Sequence, residues 1–211
     1  INNEVITLFR VVQNHPEEFI KSIRWFLLSR HEFHRFKSLP NESLTDIQKA
    51  VRFYYLMKAG YAGKVASPQL GVSKKGGGGK DKPVSIYRIE ENLYEIHKRL
   101  ESVVFENLPF DQILDRYDSA DAVFYIDPPY FGHEKDYGKN IFARPDFSRL
   151  RKLLNSLKGK FLLSINDTPE IRELFNGFKT LPVSLNYSAG SSTGGGKKAM
   201  ELLIANYPLN P

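Results

Sequence analysis

The sequence predicts an α/β fold. From residue 103 onward, short apolar runs alternate with stretches of helical periodicity, the pattern of a mostly parallel sheet covered by helices. The run Val123-Phe124-Tyr125-Ile126 is continuous and apolar, as expected of a strand buried on both faces of such a sheet. It ends abruptly on Asp127-Pro128-Pro129-Tyr130, because two prolines supply no N–H and fix φ.

The elements follow in order. Pro16-Glu17-Glu18 starts a helix, with proline at the first position and acids in the first turn. Phe19, Ile23, Phe26 and Leu27 continue it at helical spacing, and Trp25, near Leu28 and Phe33, is expected to pack in the core. His31 and His34 stand at helical spacing beside Arg30 and Arg35 with no third ligand in view. They read as a polar helix face, not a metal site. Residues 43–57 repeat the helical pattern, with Ser43 as cap, Asp46 at the reciprocal position and Ile47, Val51, Tyr54 and Tyr55 as the apolar face. Residues 60–85 dissolve into Gly, Ser, Lys and Pro, a loop-rich insertion. Residues 88–100 are helical again. Strands are then expected at 103–106, 122–126, 161–165, 180–187 and 200–207, and helices at 111–117, 147–157 and 169–175.

The strand-ending Asp127-Pro128-Pro129-Tyr130 carries the chemistry. In open α/β sheets ligands bind at the carboxyl ends of strands. An acidic and an aromatic side chain on a stiff backbone there suit the exocyclic amine of a planar nucleobase. That amine is a poor nucleophile, since its lone pair is delocalised into the ring. An ionised Asp127 and the Pro128 carbonyl offer two acceptors for its N–H bonds, favouring a pyramidal nitrogen. As a methyl group arrives the nitrogen becomes cationic, so both bonds strengthen in the transition state. Tyr130 offers a flat face for the base, a contact worth ~1–3 kcal/mol. The amine loses its proton only after methylation has made it acidic. The competing reading is a simple strand-ending turn, since proline and aspartate are common in turns.

On these residues the chain resembles the D12 class of adenine-specific DNA methyltransferases, the Dam-like enzymes. The likeness extends along the chain. Ile1-Asn2-Asn3-Glu4, residues 8–16 and Glu17-Glu18 resemble the segment after the family's second cofactor motif. Glu106-Asn107-Leu108-Pro109-Phe110 resembles the loop flanking the cofactor's adenine. Residues 161–167 resemble the next core strand and 196–207 the closing strand. The resemblance implies a Rossmann-like methyltransferase sheet, incomplete at its N-terminal side, with a helical target-recognition insertion. It places the catalytic domain in 1–29 and 89–211 and the insertion in 30–88.

The activity so implied is methyl transfer from S-adenosylmethionine to adenine N6 in double-stranded DNA, within a restriction-modification setting and on a base flipped out of the duplex. Asp127, Pro128, Pro129 and Tyr130 would be catalytic, and Asp127, Asn107 and Phe110 would lie against the cofactor. Residues 194–198 would close the substrate side. Tyr61, Lys64, Gln69, Lys74, Lys75 and Arg88 would contact DNA: lysines at phosphates, Gln69 at a base edge and Tyr61 as a wedge. Family members carry a lysine-containing segment, a Phe-x-Gly-type turn and a ribose-binding acid before the part resembling 1–4. The chain starts at Ile1, so the expectation is a fragment, or a protein with a further N-terminal part, in which this chain supplies half of the cofactor pocket. Two alternatives remain open at this point: an inactive DNA-binding remnant, and an amine methyltransferase acting on RNA or protein.

Composition agrees with a polyanionic partner. Lys and Arg number 30 against 24 Asp and Glu, a net charge of +6 at pH 7, and the isoelectric point is near 9.3. The chain has no cysteine, which removes disulfides, thiol catalysis and cysteine metal sites from consideration. No apolar run approaches a membrane span and no secretory signal is visible, so a reducing, cytoplasmic setting is expected. The protein is expected to be a monomer. Lys74 to Lys82, with its four-glycine run, reads equally as a solvated linker or as the rim of the DNA-contacting insertion.

Overall fold

The structure, a computed structural model, describes residues 3–60, 68–70, 89–134, 141–187 and 197–209. Its contacts gather into two compact units, Ile1–Asn107 and Leu108–Pro211.

The first unit is helical among its described residues: α1 (Asn3–Asn14), α2 (Pro16–Ile23), α3 (Arg30–Ser38), α4 (Asp46–Ala59) and α5 (Ile89–Leu100), with a 3-10 turn at Asn41–Ser43. Val11, Val12, Phe19, Ile23, Ala50, Val51 and Leu93 form one buried cluster. Phe33, Phe36, Tyr55, Leu56 and Ala59 form a second. The Tyr55 hydroxyl donates to the Leu27 carbonyl at 3.1 Å and accepts from the Ser29 amide at 3.3 Å, tying the α2–α3 connection to α4.

Three local expectations need correction in this unit. Helix α2 stops at Ile23, so the spacing beyond it no longer sends side chains to one face. Phe26 turns inward, against the rings of Phe36 and Tyr55 at 5.3 and 5.8 Å. Trp25 is 83% exposed and Leu27 70%, not core. Helix α4 begins after Thr45, not Ser43: Thr45 Oγ1 accepts from the Gln48 amide while Gln48 Oε1 accepts from the Thr45 amide. Asp46 instead pairs with Arg10 at 2.5 Å. Residues 103–106 form no strand, because the described part of this unit offers no strand to pair with beyond the isolated Gly60–Leu70 bridge. Phe105 stacks on Phe9 there, with ring centroids 4.6 Å apart.

The second unit holds α6 (Phe110–Tyr117), β1 (Val123–Ile126), α7 (Arg144–Ser156), β2 (Lys160–Asn166), α8 (Pro169–Leu174), β3 (Lys179–Tyr187) and β4 (Lys197–Ala205). The sheet order is β1-β2-β4-β3. β1 and β2 run parallel, whereas β4 runs antiparallel to both its neighbours. The sheet is therefore mixed rather than mostly parallel: β3 and β4 are too close in sequence for a parallel crossover and pair antiparallel. Phe161, Leu163 and Ile165 of β2 and Leu202 and Ile204 of β4 are fully buried with Phe147, Leu150 and Leu154 of α7.

β1 also departs from its apolar pattern. Phe124 and Ile126 pack against the core, but Val123 is 71% and Tyr125 66% exposed. Among the described residues β1 has a strand partner on one side only. The entry into β2 is fixed by Asp118, whose carboxylate accepts from the Lys158 and Gly159 amides at 3.0 and 2.9 Å. Gly159 is required there, since a Cβ would lie 2.7 Å from the Ala122 carbonyl oxygen.

Candidate active site

The register of the sheet builds the site. Ile126, last residue of β1, lies opposite Leu163 of parallel β2, so Asp127 emerges beside the carboxyl end of β2. There Asn166 lies opposite Glu201 of β4. The segment after β1 is thus delivered onto the end of β2 and the middle of β4, and side chains from both strands hold it.

Asn166 makes a two-way clasp: its Oδ1 accepts from the Phe131 amide at 2.8 Å and its Nδ2 donates to the Phe131 carbonyl at 3.1 Å. Glu201, only 8% exposed, accepts from the Tyr130 hydroxyl through Oε1. Its Oε2 accepts from the Ser164 hydroxyl at 3.1 Å. Beyond Tyr130 the chain turns, with the His133 amide donating to the Tyr130 carbonyl at 2.8 Å. Gly132 takes φ +88°, a left-handed conformation natural to glycine. The Phe131 ring packs on Phe147 at 5.4 Å and carries the Arg144 guanidinium 4.1 Å over it.

Asp127 is exposed as a residue, yet its carboxyl is held above the ordinary aspartate range, first by partial desolvation and then by the negative charge of Glu201. The site therefore offers a carboxylate of raised basicity, a rigid prolyl backbone and an anchored aromatic ring within one short segment. Because Asn166 contributes two hydrogen bonds to that segment, Asn166→Ala is expected to lower kcat about tenfold, as the loss of one or two neutral hydrogen bonds implies. Steady-state kinetics read the effect, and a kcat equal to the parent's contradicts the clasp's importance.

Asp127, Pro128, Pro129 and Tyr130 thus sit together at the strand end. Phe110 begins α6 in the same unit, half-buried, its ring 5.8 Å from Phe142 and under the Arg149 guanidinium at 4.7 Å. Asn107 belongs to the first unit, where its Nδ2 donates to Asn3 Oδ1 at 2.6 Å. Gln69 is exposed between Pro68 and the Leu70 bridge. Tyr61, Lys64, Lys74, Lys75 and Arg88, and residues 194–196, lie outside the described residues. Sequence reasoning did not single out Glu201, Ser164 or Asn166 as site residues. The available signal was a lone acid inside the apolar run of Met200-Glu201-Leu202-Leu203-Ile204, since a charge in a buried strand needs partners.

The class of enzyme to which this fold and strand end belong comes from comparison with known proteins. The model of the D12 class N6 adenine-specific DNA methyltransferase family matches residues 1–189. The type II methyltransferase M.CviBI of Paramecium bursaria Chlorella virus NC1A is 27% identical over 84% of this chain and 67% of its own length. The retron Ec67 DNA adenine methylase of Escherichia coli is 29% identical over 98% of this chain and 74% of its own length. The DNA adenine methylase of Escherichia coli K12 is 26% identical over 98% and 77%. The chain belongs to the D12 class of N6 adenine-specific DNA methyltransferases. Its reaction is accordingly methyl transfer to adenine in DNA, which requires a methyl donor. No helix among the described residues is long and apolar enough to cross a membrane.

Proposed function

We propose that Asp127 and the Pro128 carbonyl grip the N6 amine of a target adenine whose ring stacks on Tyr130. The observation that carries this reading is the clasp of residues 130–131, at the end of the Asp127 segment, onto the end of β2 by Asn166 and the middle of β4 by Glu201. A catalytic group must be held in its productive geometry before the reaction, and this segment is held at both its backbone and its ring. Pro129 keeps the backbone between acid and ring stiff. In the duplex N6 is engaged in base pairing, so the adenine must be flipped out to reach the segment.

The methyl donor in this reading is S-adenosylmethionine, which supplies a methyl group on a sulfonium. Its fit to the chain rests on Asp127, an accessible carboxylate complementary to the donor's cationic methionine end. Phe110 and Asn107 are the further residues assigned to hold it, by resemblance. Two kinds of work thus fall to Asp127: orienting the amine and facing the donor's positive charge. The Pro129 and Tyr130 side chains exclude water on the side of the base. The direct test is transfer of labelled methyl groups from S-adenosylmethionine to duplex DNA by the full-length protein, followed by nucleoside analysis. Label in N6-methyladenine is expected; label confined to cytosine, RNA or protein contradicts the reading.

Residues 30–88 are the proposed target-recognition insertion, in a protein acting as a cytoplasmic monomer. The support is the composition of 60–88, where lysines interleave with Gly, Ser and Tyr. Each lysine on a phosphate contributes about one unit to the log–log slope of affinity against salt. Replacing Lys74, Lys75, Lys80 and Lys82 with alanine is therefore expected to flatten that slope. An unchanged slope, read by fluorescence anisotropy over a salt series, assigns the segment to the linker reading.

A further inference from the structure

So far the buried acid of β4 has served to hold the strand-end segment and to place a charge near Asp127. A carboxylate at 8% exposure in an otherwise apolar strand stretch is costly unless strong donors meet it. Glu201 has such donors on both oxygens, the Tyr130 hydroxyl on Oε1 and the Ser164 hydroxyl on Oε2. If the arrangement served stability alone, well-packed apolar side chains of similar volume would serve as well or better. What an apolar replacement cannot do is hold the far end of the Tyr130 ring. Tying the hydroxyl to a rigid sheet fixes χ1; the oxygen lies on the χ2 axis, but a phenolic O–H prefers the ring plane, so an acceptor at a fixed place also sets the favoured ring plane. Ser164 sits mid-strand on β2 and is buried, so the second oxygen is itself held against the sheet.

We infer that Glu201 is a positioning residue: through the Tyr130 hydroxyl it sets the plane of the ring on which the target adenine stacks. The inference rests on the proposed role of Tyr130 as that platform. Glu201 touches neither base nor donor; apart from the charge it places near Asp127, it acts through Tyr130. The Tyr130 hydroxyl is consequently a structural handle with no proton-transfer task, and its removal costs activity only through ring orientation. Glu201→Gln keeps an acceptor for one hydroxyl and an amide N–H₂ for the other, so it preserves the geometry with weaker, neutral hydrogen bonds. Glu201→Leu keeps the volume and removes both bonds.

The test is a double-mutant cycle in the full-length protein, with kcat for DNA methylation and the melting temperature measured for each variant. Tyr130→Phe and Glu201→Leu are each expected to lower kcat by roughly tenfold to a hundredfold, the range for losing one hydrogen bond to a charged group. The double variant is expected to be no slower than the slower single variant, because both changes break the same link. Glu201→Gln is expected within roughly fivefold of the parent, since only charge assistance is lost. Losses that multiply in the double variant, or a parental kcat in Tyr130→Phe, overturn the inference. Should Glu201→Leu fail to fold, Tyr130→Phe decides alone, as it removes nothing but the hydroxyl. Asp127→Ala separates this result from the underlying reading: an inactive Asp127→Ala beside a fully active Tyr130→Phe defeats only the role of Glu201.

Discussion

Asp127→Ala is expected to lower methyl transfer to adenine by about a hundredfold to a thousandfold or more, the cost of deleting one preorganised group that stabilises transition-state charge. DNA affinity should be nearly unchanged, because the lost interaction strengthens only as the amine becomes cationic. Labelled-methyl transfer and a binding titration separate the two effects, and activity within a few-fold of the parent removes Asp127 from the mechanism. Desolvation, and then Glu201, raise the pKa of this carboxyl above the 3.8 of a free aspartate. Acid therefore protonates Asp127 earlier than an ordinary aspartate, and the acid limb of the pH–rate profile should lie above that value. A carboxyl whose pKa is raised by folding favours the folded state below its unfolded pKa, and that contribution is lost as pH rises through the folded value. At neutral pH the ionised group is then a burden on folding. Asp127→Asn should melt no lower than the parent while losing activity.

The largest stability effect is expected from Phe161→Ala. Phe161 is fully buried in β2, between the parallel partner β1 and the antiparallel partner β4, and its ring meets Phe178 edge-on at 5.0 Å. Its truncation should cost roughly 3–5 kcal/mol, combining lost transfer energy with the cavity left behind. Leu27→Ala, at a position 70% exposed, should stay within about 0.5 kcal/mol. Denaturant unfolding of both variants measures the contrast, and equal costs would mean that the assignment of buried and exposed positions is wrong.

That contrast marks where the sequence was legible. Elements with a stop written in the chain were read closely: Pro16 opens α2, Pro169 opens α8, and the two prolines after Ile126 end β1. Spacing failed where the backbone left the helix without such a mark. Beyond Ile23 nothing in the residue pattern separates half-buried Phe26 from exposed Trp25 and Leu27, because the turn that separates them is fixed by contacts with Phe36 and Tyr55 of later helices. Residues 103–106 have strand-like composition but no strand partner among the described residues of their unit, and pairing is a tertiary property. The same holds for β1, whose apolar run is compatible with burial on one face or two.

At the site, the strand-end segment was legible since proline stiffness and acid-aromatic chemistry are local. Its holders were not. Asn166 and Glu201 come to the segment through the β1–β2 and β2–β4 registers, which no local pattern encodes. Only the isolated acid within the closing strand hinted that a buried partner existed.

The most direct measurement is a crystal structure of the full-length protein with cognate duplex DNA and a donor analogue that cannot transfer its group. An extrahelical adenine is expected, with N6 within hydrogen-bonding distance of both the Asp127 carboxylate and the Pro128 carbonyl, its ring stacked on Tyr130 and the Tyr130 hydroxyl still on Glu201. An adenine left in the helix, or one bound away from residues 127–130, would contradict the proposed mechanism.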